Sequence, residues 1–181
     1  MKKILSLVLV LLTLTACQSK TAQPRLYGVS FTADVTYFNE NYRGECHFSK
    51  DKVLTFKITE PEIISGYTVT VSESGITAEY LGLTFTPTEG NMPFSSAVAL
   101  FYEKICAAAD AEAVKEEGGE FKISGGKDAD AYTLYISETG LPQKILIPDE
   151  RFTVYFYNAT AFPSGEGGPL AVDEEKPTFE I

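Results

Sequence analysis

Side chains that could do chemistry are few in this chain, and their spacing argues against most of it. One histidine, His47, stands on the polar side of an alternating run beside Arg43 and Glu45. No nucleophile-elbow motif accompanies it, so a solvated strand histidine is the expectation rather than a general base. A single imidazole with scattered cysteines falls short of the several His or Cys ligands that zinc usually takes. Asp128-Ala129-Asp130 offers two carboxylates but lacks the other ligands and the Gly of a calcium loop, and it reads as a polar turn. Glu60 and Glu62 flank Pro61, with Glu73 and Glu79 on nearby strands, and a carboxylate pair across a cleft is the equipment of glycoside hydrolysis. Among 25 acidic residues such pairs arise by chance, and the lack of Trp removes a common sugar-stacking side chain. Ser124-Gly125-Gly126-Lys127 lacks the earlier Gly and the following Ser/Thr of a phosphate loop, and reads as a hairpin turn. The expectation is no catalytic residue, no metal and no cofactor.

The thiol with the clearest assignment is Cys17. Lys2 and Lys3 supply a positive start, Ile4 to Leu12 an apolar run broken only by Ser6, and Leu14-Thr15-Ala16 a small-residue cleavage region. This is the three-part layout of a secretory signal. Its apolar stretch is shorter than the roughly 20 residues a membrane span needs. Leu14-Thr15-Ala16-Cys17 resembles the lipobox of bacterial lipoproteins. That resemblance implies that residues 1–16 are removed and that Cys17 takes a diacylglyceryl group and becomes the new N-terminus. One acyl chain anchors only marginally, whereas this modification brings at least two. The expected location is extracytoplasmic, lipid-anchored to a bacterial membrane, with the outer leaflet of the cell membrane preferred over an outer membrane.

Loss of Lys2 and Lys3 with the signal takes the formal charge from −10 to −12. So acidic a chain lacks the basic stripes that neutralise phosphate, which argues against nucleic acid. Anionic headgroups repel it as well, so lipid makes the membrane contact. Two cysteines remain, Cys46 and Cys106, in a compartment that permits a disulfide. Spacing leaves a bridge and two free thiols equally open.

The elements behind these residues follow from periodicity. Residues 17–26 read as a lipidated tether and 27–158 as one domain of roughly 130 residues, a common size. Period-two runs begin at Val29, Phe31, Ala33, Val35 and Tyr37, and continue through Tyr42 to Phe48 and Leu54 to Ile58. Tyr67 to Val71 and Ile76 to Tyr80 follow, with Leu83 and Phe85 beyond Gly82. Short turns between them imply an antiparallel meander. Pro93 then opens a helix, with Asn91 as a cap candidate, and Phe94, Ala97, Val98, Phe101, Ile105 and Ala108 form its apolar stripe. Glu103, Lys104 and Asp110 lie off that stripe. The helix is expected to run on toward Glu117, where Gly118-Gly119 stops it. Strands resume at Phe121, Ala131 to Ile136, Lys144 to Ile147 and Arg151 to Tyr157. Residues 159–181 read as an acidic, Gly- and Pro-rich tail, in which Phe162, Leu170, Val172, Phe179 and Ile181 could dock locally. About nine strands and one main helix predict an α+β fold, a curved antiparallel sheet packed on that helix.

Aromatic residues are plentiful, and some strands carry them on both faces: Tyr135, Tyr155 and Tyr157 oppose Leu134, Val154 and Phe156. A packed core with tyrosines at its rim explains most of them. The functional reading is a concave face holding an apolar ligand, lined by Phe31, Tyr37, Phe56, Tyr80, Phe94, Val98, Phe101, Ile105, Leu134 and Phe156.

From Phe31 to Asn158 the order of elements resembles the LolA/LolB-like lipoprotein-carrier superfamily. The resemblance rests on long opening hairpins, a strand ending in Thr59-Glu60-Pro61, and a helix led by Pro93-Phe94. Its closing section is Ala131 to Ile136, Thr139-Gly140-Leu141-Pro142, then Phe152 to Asn158. Membership implies a half-barrel whose helix-covered concave face binds acyl chains or other hydrophobic molecules. The sequence departs from the family in its own lipidation, and no motif matches the carriers' functional arginine, for which Arg43 stands nearest by position. Two readings follow: a non-enzymatic, lipid-anchored protein that binds a hydrophobic ligand, or an envelope interaction module whose core is filled by side chains. Its protein partner is unspecified.

Overall fold

A computed structural model describes residues 21–87, 93–116 and 120–161. Cys17 and the signal lie outside the described residues, as do Asn91, Gly118-Gly119 and the tail from Phe162. Among the described residues twelve strands form one open antiparallel sheet. The short β1 (Thr21–Ala22) precedes two meanders. The first comprises β2 (Val29–Tyr37), β3 (Glu40–Phe48), β4 (Leu54–Glu60), β5 (Thr68–Ser72), β6 (Gly75–Tyr80) and β7 (Leu83–Phe85). After α1 (Pro93–Ala109), the second comprises β8 (Ala113–Lys115), β9 (Phe121–Gly125), β10 (Tyr132–Ile136), β11 (Pro142–Ile147) and β12 (Phe152–Ala161). The two are joined where β12 pairs with β2, and β1 pairs with β8 at one edge. The other edge is β7.

The α+β expectation is corrected by this count. Strand accounts for 53% of the described residues and helix for 17%, so the fold is mostly β with one inserted helix. Two short strands, β1 and β8, add to the sheet beyond the expected runs, though the longer strands make up most of it. Helical periodicity predicts a run on toward Glu117, but α1 ends at Ala109, and Ala113–Lys115 pairs with β9 instead. Residues read as tether supply β1, and Leu26 is buried in the core. Runs of two or three residues show no periodicity of their own and exist only through their partners.

Alternation sets the core. Val29, Phe31, Ala33 and Val35 of β2 point inward, as do Cys46 and Phe48 of β3 and Leu54, Phe56 and Ile58 of β4. Phe152, Val154 and Phe156 of β12 and Leu134 and Ile136 of β10 join them. Because α1 connects one edge strand to a strand near the opposite edge, it passes over the inner face. Phe94 contacts the Phe56 ring at 5.1 Å, while Phe101 meets Phe31 at 6.3 Å and Phe156 at 5.6 Å. Gly44 permits close packing there, since a Cβ would stand 2.3 Å from both the Phe56 ring and the Lys57 carbonyl. Cys46 and Cys106 are both free thiols, Cys46 buried and its pKa pushed up by that burial.

Candidate functional site

The two faces of the central strands carry the two sets of candidate residues. On the inner face, Phe31, Phe56, Phe94, Val98, Phe101, Ile105, Leu134 and Phe156 are all buried. They belong to a single apolar cluster. Phe31 and Phe156 meet edge to face at 4.9 Å. The gap left among Val35, Phe56, Val98, Phe101 and Phe152 has no room for a water molecule. Tyr37 and Tyr80 sit at the rim: Tyr37 reaches the Phe152 ring at 6.0 Å, and the Tyr80 hydroxyl donates to the Ile63 carbonyl at 3.0 Å. The Tyr67 hydroxyl lies 2.9 Å from Ser95 Oγ, fixing the first turn of α1 to β5's entry.

On the outer face, strand register assembles one row. Lys122, Tyr135, Lys144, Tyr155, Asp34, Arg43 and Glu60 stand opposite one another in turn from β9 to β4. Lys144 Nζ lies 4.9 Å from the Tyr155 ring centre and 5.9 Å from that of Tyr135, so two aromatic faces hold one ammonium. Arg43 grips Asp34 with two hydrogen bonds, Nε at 2.6 Å and Nη2 at 2.9 Å, and reaches Glu60 with Nη1 at 3.3 Å. A β-bulge makes that last contact. Arg43 pairs with Glu60 while Gly44 pairs with Ile58, leaving Thr59 as the extra residue. Without it, plain alternation from Ile58 would send Glu60 inward. The hydrogen bonds from Arg43, helped by one from the Tyr157 hydroxyl, hold the Asp34 carboxyl below its ordinary pKa. Lys122 is tied to Glu116. Tyr155 and Tyr157 are 43% and 45% exposed and, with Arg43 and Glu60, border an open groove of about 400 Å³.

His47 departs from its expected place. It is only 7% exposed, with Nδ1 3.2 Å from Ser30 Oγ on the neighbouring strand. Burial lowers its pKa, leaving a neutral ring. A neutral imidazole beside a hydroxyl is the contact a nucleophile and base make. Both residues, however, sit within paired strands, where backbone N–H groups are used by the ladder rather than gathered for an oxyanion. The pair reads as a cross-strand polar contact.

Lys104 departs too from the solvated face that helical spacing gives it. Its stem is buried on α1, 4% exposed, and its ammonium reaches Glu103 at 2.9 Å and Asp130 at 3.5 Å. Those two carboxylates outweigh desolvation and raise its pKa. Asp128–Asp130 forms a short 3-10 turn, so this ion pair ties that turn to the helix. Among the described residues no three His, Cys, Asp or Glu side chains gather as metal ligands, and no helix is long and apolar enough to cross a membrane.

A third feature lies at one end of the sheet. Phe38, Ile63, Leu81 and Leu83 are exposed in turns or edge strand at the end where β2, β4 and β6 finish. Arg25, a few residues after the expected anchor, bonds to Gly140 in the turn at the opposite end.

The fold and site thus define a mostly-β, single-sheet protein with a side-chain-filled inner face and a charged, tyrosine-bearing outer one. No family model matches the chain, and no curated protein matches it. Among solved structures, an uncharacterized conserved protein from Thermus thermophilus aligns with a TM-score of 0.44 at 12% identity. The alignment covers 76% of this chain and 81% of that one.

Proposed function

We propose that this chain is a non-enzymatic, lipid-anchored extracytoplasmic protein that works by contact through its outer surfaces. The observation that carries this reading is the packing of the inner face. The side chains expected to line an apolar ligand site fill it themselves, leaving a gap without room for water. An acyl chain would have to displace α1, which is held by ring contacts to the central strands. Burying one Phe there contributes about 1.5–3 kcal/mol, so lifting several at once is a large cost. Anchoring through Cys17 would hold the sheet near a membrane, with Arg25 at the near end and the exposed Phe38, Ile63 and Leu81 at the far end. Function then rests on surfaces a bound lipid would not touch.

The test is extraction of the chain from Gln18, produced without lipidation in a bacterial host, followed by mass spectrometry of the organic phase. Less than a tenth of an equivalent of any lipid is the expected result. Stoichiometric recovery of one lipid class returns the hydrophobic-ligand reading to first place.

A further inference from the structure

We propose that the open sheet edge at β7 takes up an extended segment of a partner protein whose alternate residues are apolar and basic. The inference rests on the outward-acting reading and names the chemistry of the partner that reading requires.

Strand β7 is the last of the sheet and pairs only with β6 among the described residues. Tyr80 opposite Leu83 closes a two-residue loop, Leu81-Gly82. Bonded and unbonded pairs alternate along an antiparallel ladder, and a two-residue loop closes on a bonded one. The Tyr80–Leu83 and Ala78–Phe85 pairs are therefore the bonded ones, and the N–H and C=O of Thr84 point away from β6. Backbone groups left open at an edge are met by an added strand rather than by a lipid or a helix.

Side-chain direction sets what that strand must carry. Ala78 is buried, so Phe85 opposite it faces inward, as do Leu83 and Tyr80, whereas Glu79 and Thr84 face outward. Leu83 is 70% exposed, and an added residue on its side meets apolar surface. On the outer side, the residue opposite Thr84 stands two strands from Glu79, about 9.5 Å, within reach of a Lys or Arg laid over the Thr84 side chain. Glu79 is exposed and makes no ion pair among the described residues. Glu62 adjoins Ile63, whose carbonyl accepts the Tyr80 hydroxyl, so a second carboxylate flanks the patch. Residues 59–67 and 79–87 hold Glu60, Glu62 and Glu79 and no Lys or Arg.

Folding does not account for these apolar side chains. Leu81 is 84% exposed with φ 51, a left-handed conformation that favours Gly or Asn. It costs free energy there and buries little. Sheet edges are ordinarily guarded by Lys, Pro or a bulge, yet Leu83-Thr84-Phe85 has none of them. At the opposite edge, β1 is two residues, Thr21–Ala22, with no large apolar side chain.

Other occupants fit less well. A second copy brings another Glu79 and no base to the outer side. Anionic headgroups are repelled by the same carboxylates.

The test passes the full-length lipidated chain, in detergent micelles, over arrays of short synthetic peptides in which Val or Leu alternates with Lys, with Ser or with Glu. Retention on the Lys array about tenfold above the Ser array is expected, with none on the Glu array. Thr84→Pro removes a donor that β6 does not use, so it should cut retention about tenfold and leave the circular dichroism spectrum unchanged. Glu79→Gln should bring the Lys and Ser arrays level. Should Thr84→Pro fail to fold, Leu83→Ser takes its place, with the same loss expected. The proposal is overturned by equal retention on all arrays, by retention that the β7 variant keeps, or by a wild-type dimer in sedimentation that this variant dissolves, which assigns the edge to a second copy. A chain that yields no lipid on extraction and ignores every array overturns this inference and leaves the filled-interior reading standing.

Discussion

The two faces of one sheet use the same kind of side chain to opposite ends. On the inner face Phe31, Phe101 and Phe156 pack against one another, and ring contacts replace water. On the outer face Tyr135 and Tyr155 enclose a lysine, and Tyr155 stays nearly half exposed. Successive residues of a strand point to opposite sides, so one residue of offset separates stability from contact. Phe156 and Tyr155 are neighbours in sequence, yet the first is buried in the core and the second stays at the surface beside Lys144.

Substitutions break that comparison in order of size. Phe101→Ala should cost about 3–5 kcal/mol in a urea titration, because it leaves a cavity between α1 and β2. Gly44→Ala should cost about 1–3 kcal/mol, since its methyl meets the Phe56 ring and a backbone carbonyl that cannot move away easily. Tyr155→Ala on the outer face should cost only about 0.5–1 kcal/mol, chiefly the contact with the Lys144 ammonium. Equal losses for Phe101→Ala and Tyr155→Ala would erase the distinction between the faces.

The pH dependence separates the two polar contacts between the central strands β2 and β3. His47 is held neutral by burial, so its folded pKa lies below the ordinary 6.5. The unfolded chain therefore binds the proton first, and stability falls as pH drops below 6.5 toward the folded value. His47→Gln should flatten that part of the profile. Asp34 has a lowered pKa from Arg43, so its contribution is full above the usual carboxylate value of 3.8 and fades below it. Arg43→Met should remove the second loss and leave the first. Lys104→Met should change stability by no more than about 1 kcal/mol. Its carboxylate partners are exposed and stay solvated once the ammonium is gone.

Much of the inner face is legible in the sequence, because alternation and helical spacing each name a buried side. Phe94, Val98, Phe101 and Ile105 share one stripe by spacing alone, and Pro93 marks the helix start that the structure shows. The short strands β1 and β8 are not legible, since their two or three residues gain meaning only from pairing with distant chain. Nor is the outer row. Its tyrosines are visible as a second aromatic face, but their alignment with Asp34 depends on β12 pairing with β2, from the opposite end of the domain. Glu60 joins the row only through the bulge at Thr59, which no local propensity announces. The burial of His47 and Lys104 escapes the sequence for a related reason: a strand or helix position names a face, not what covers it.

The most direct test of the filled interior is titration of the unlipidated chain with an apolar fluorescent probe, beside the Phe101→Ala variant. The account predicts no saturable uptake by the wild type and new, stoichiometric uptake by the variant, whose deleted ring leaves an apolar cavity. Saturable binding of one probe per wild-type chain would contradict it.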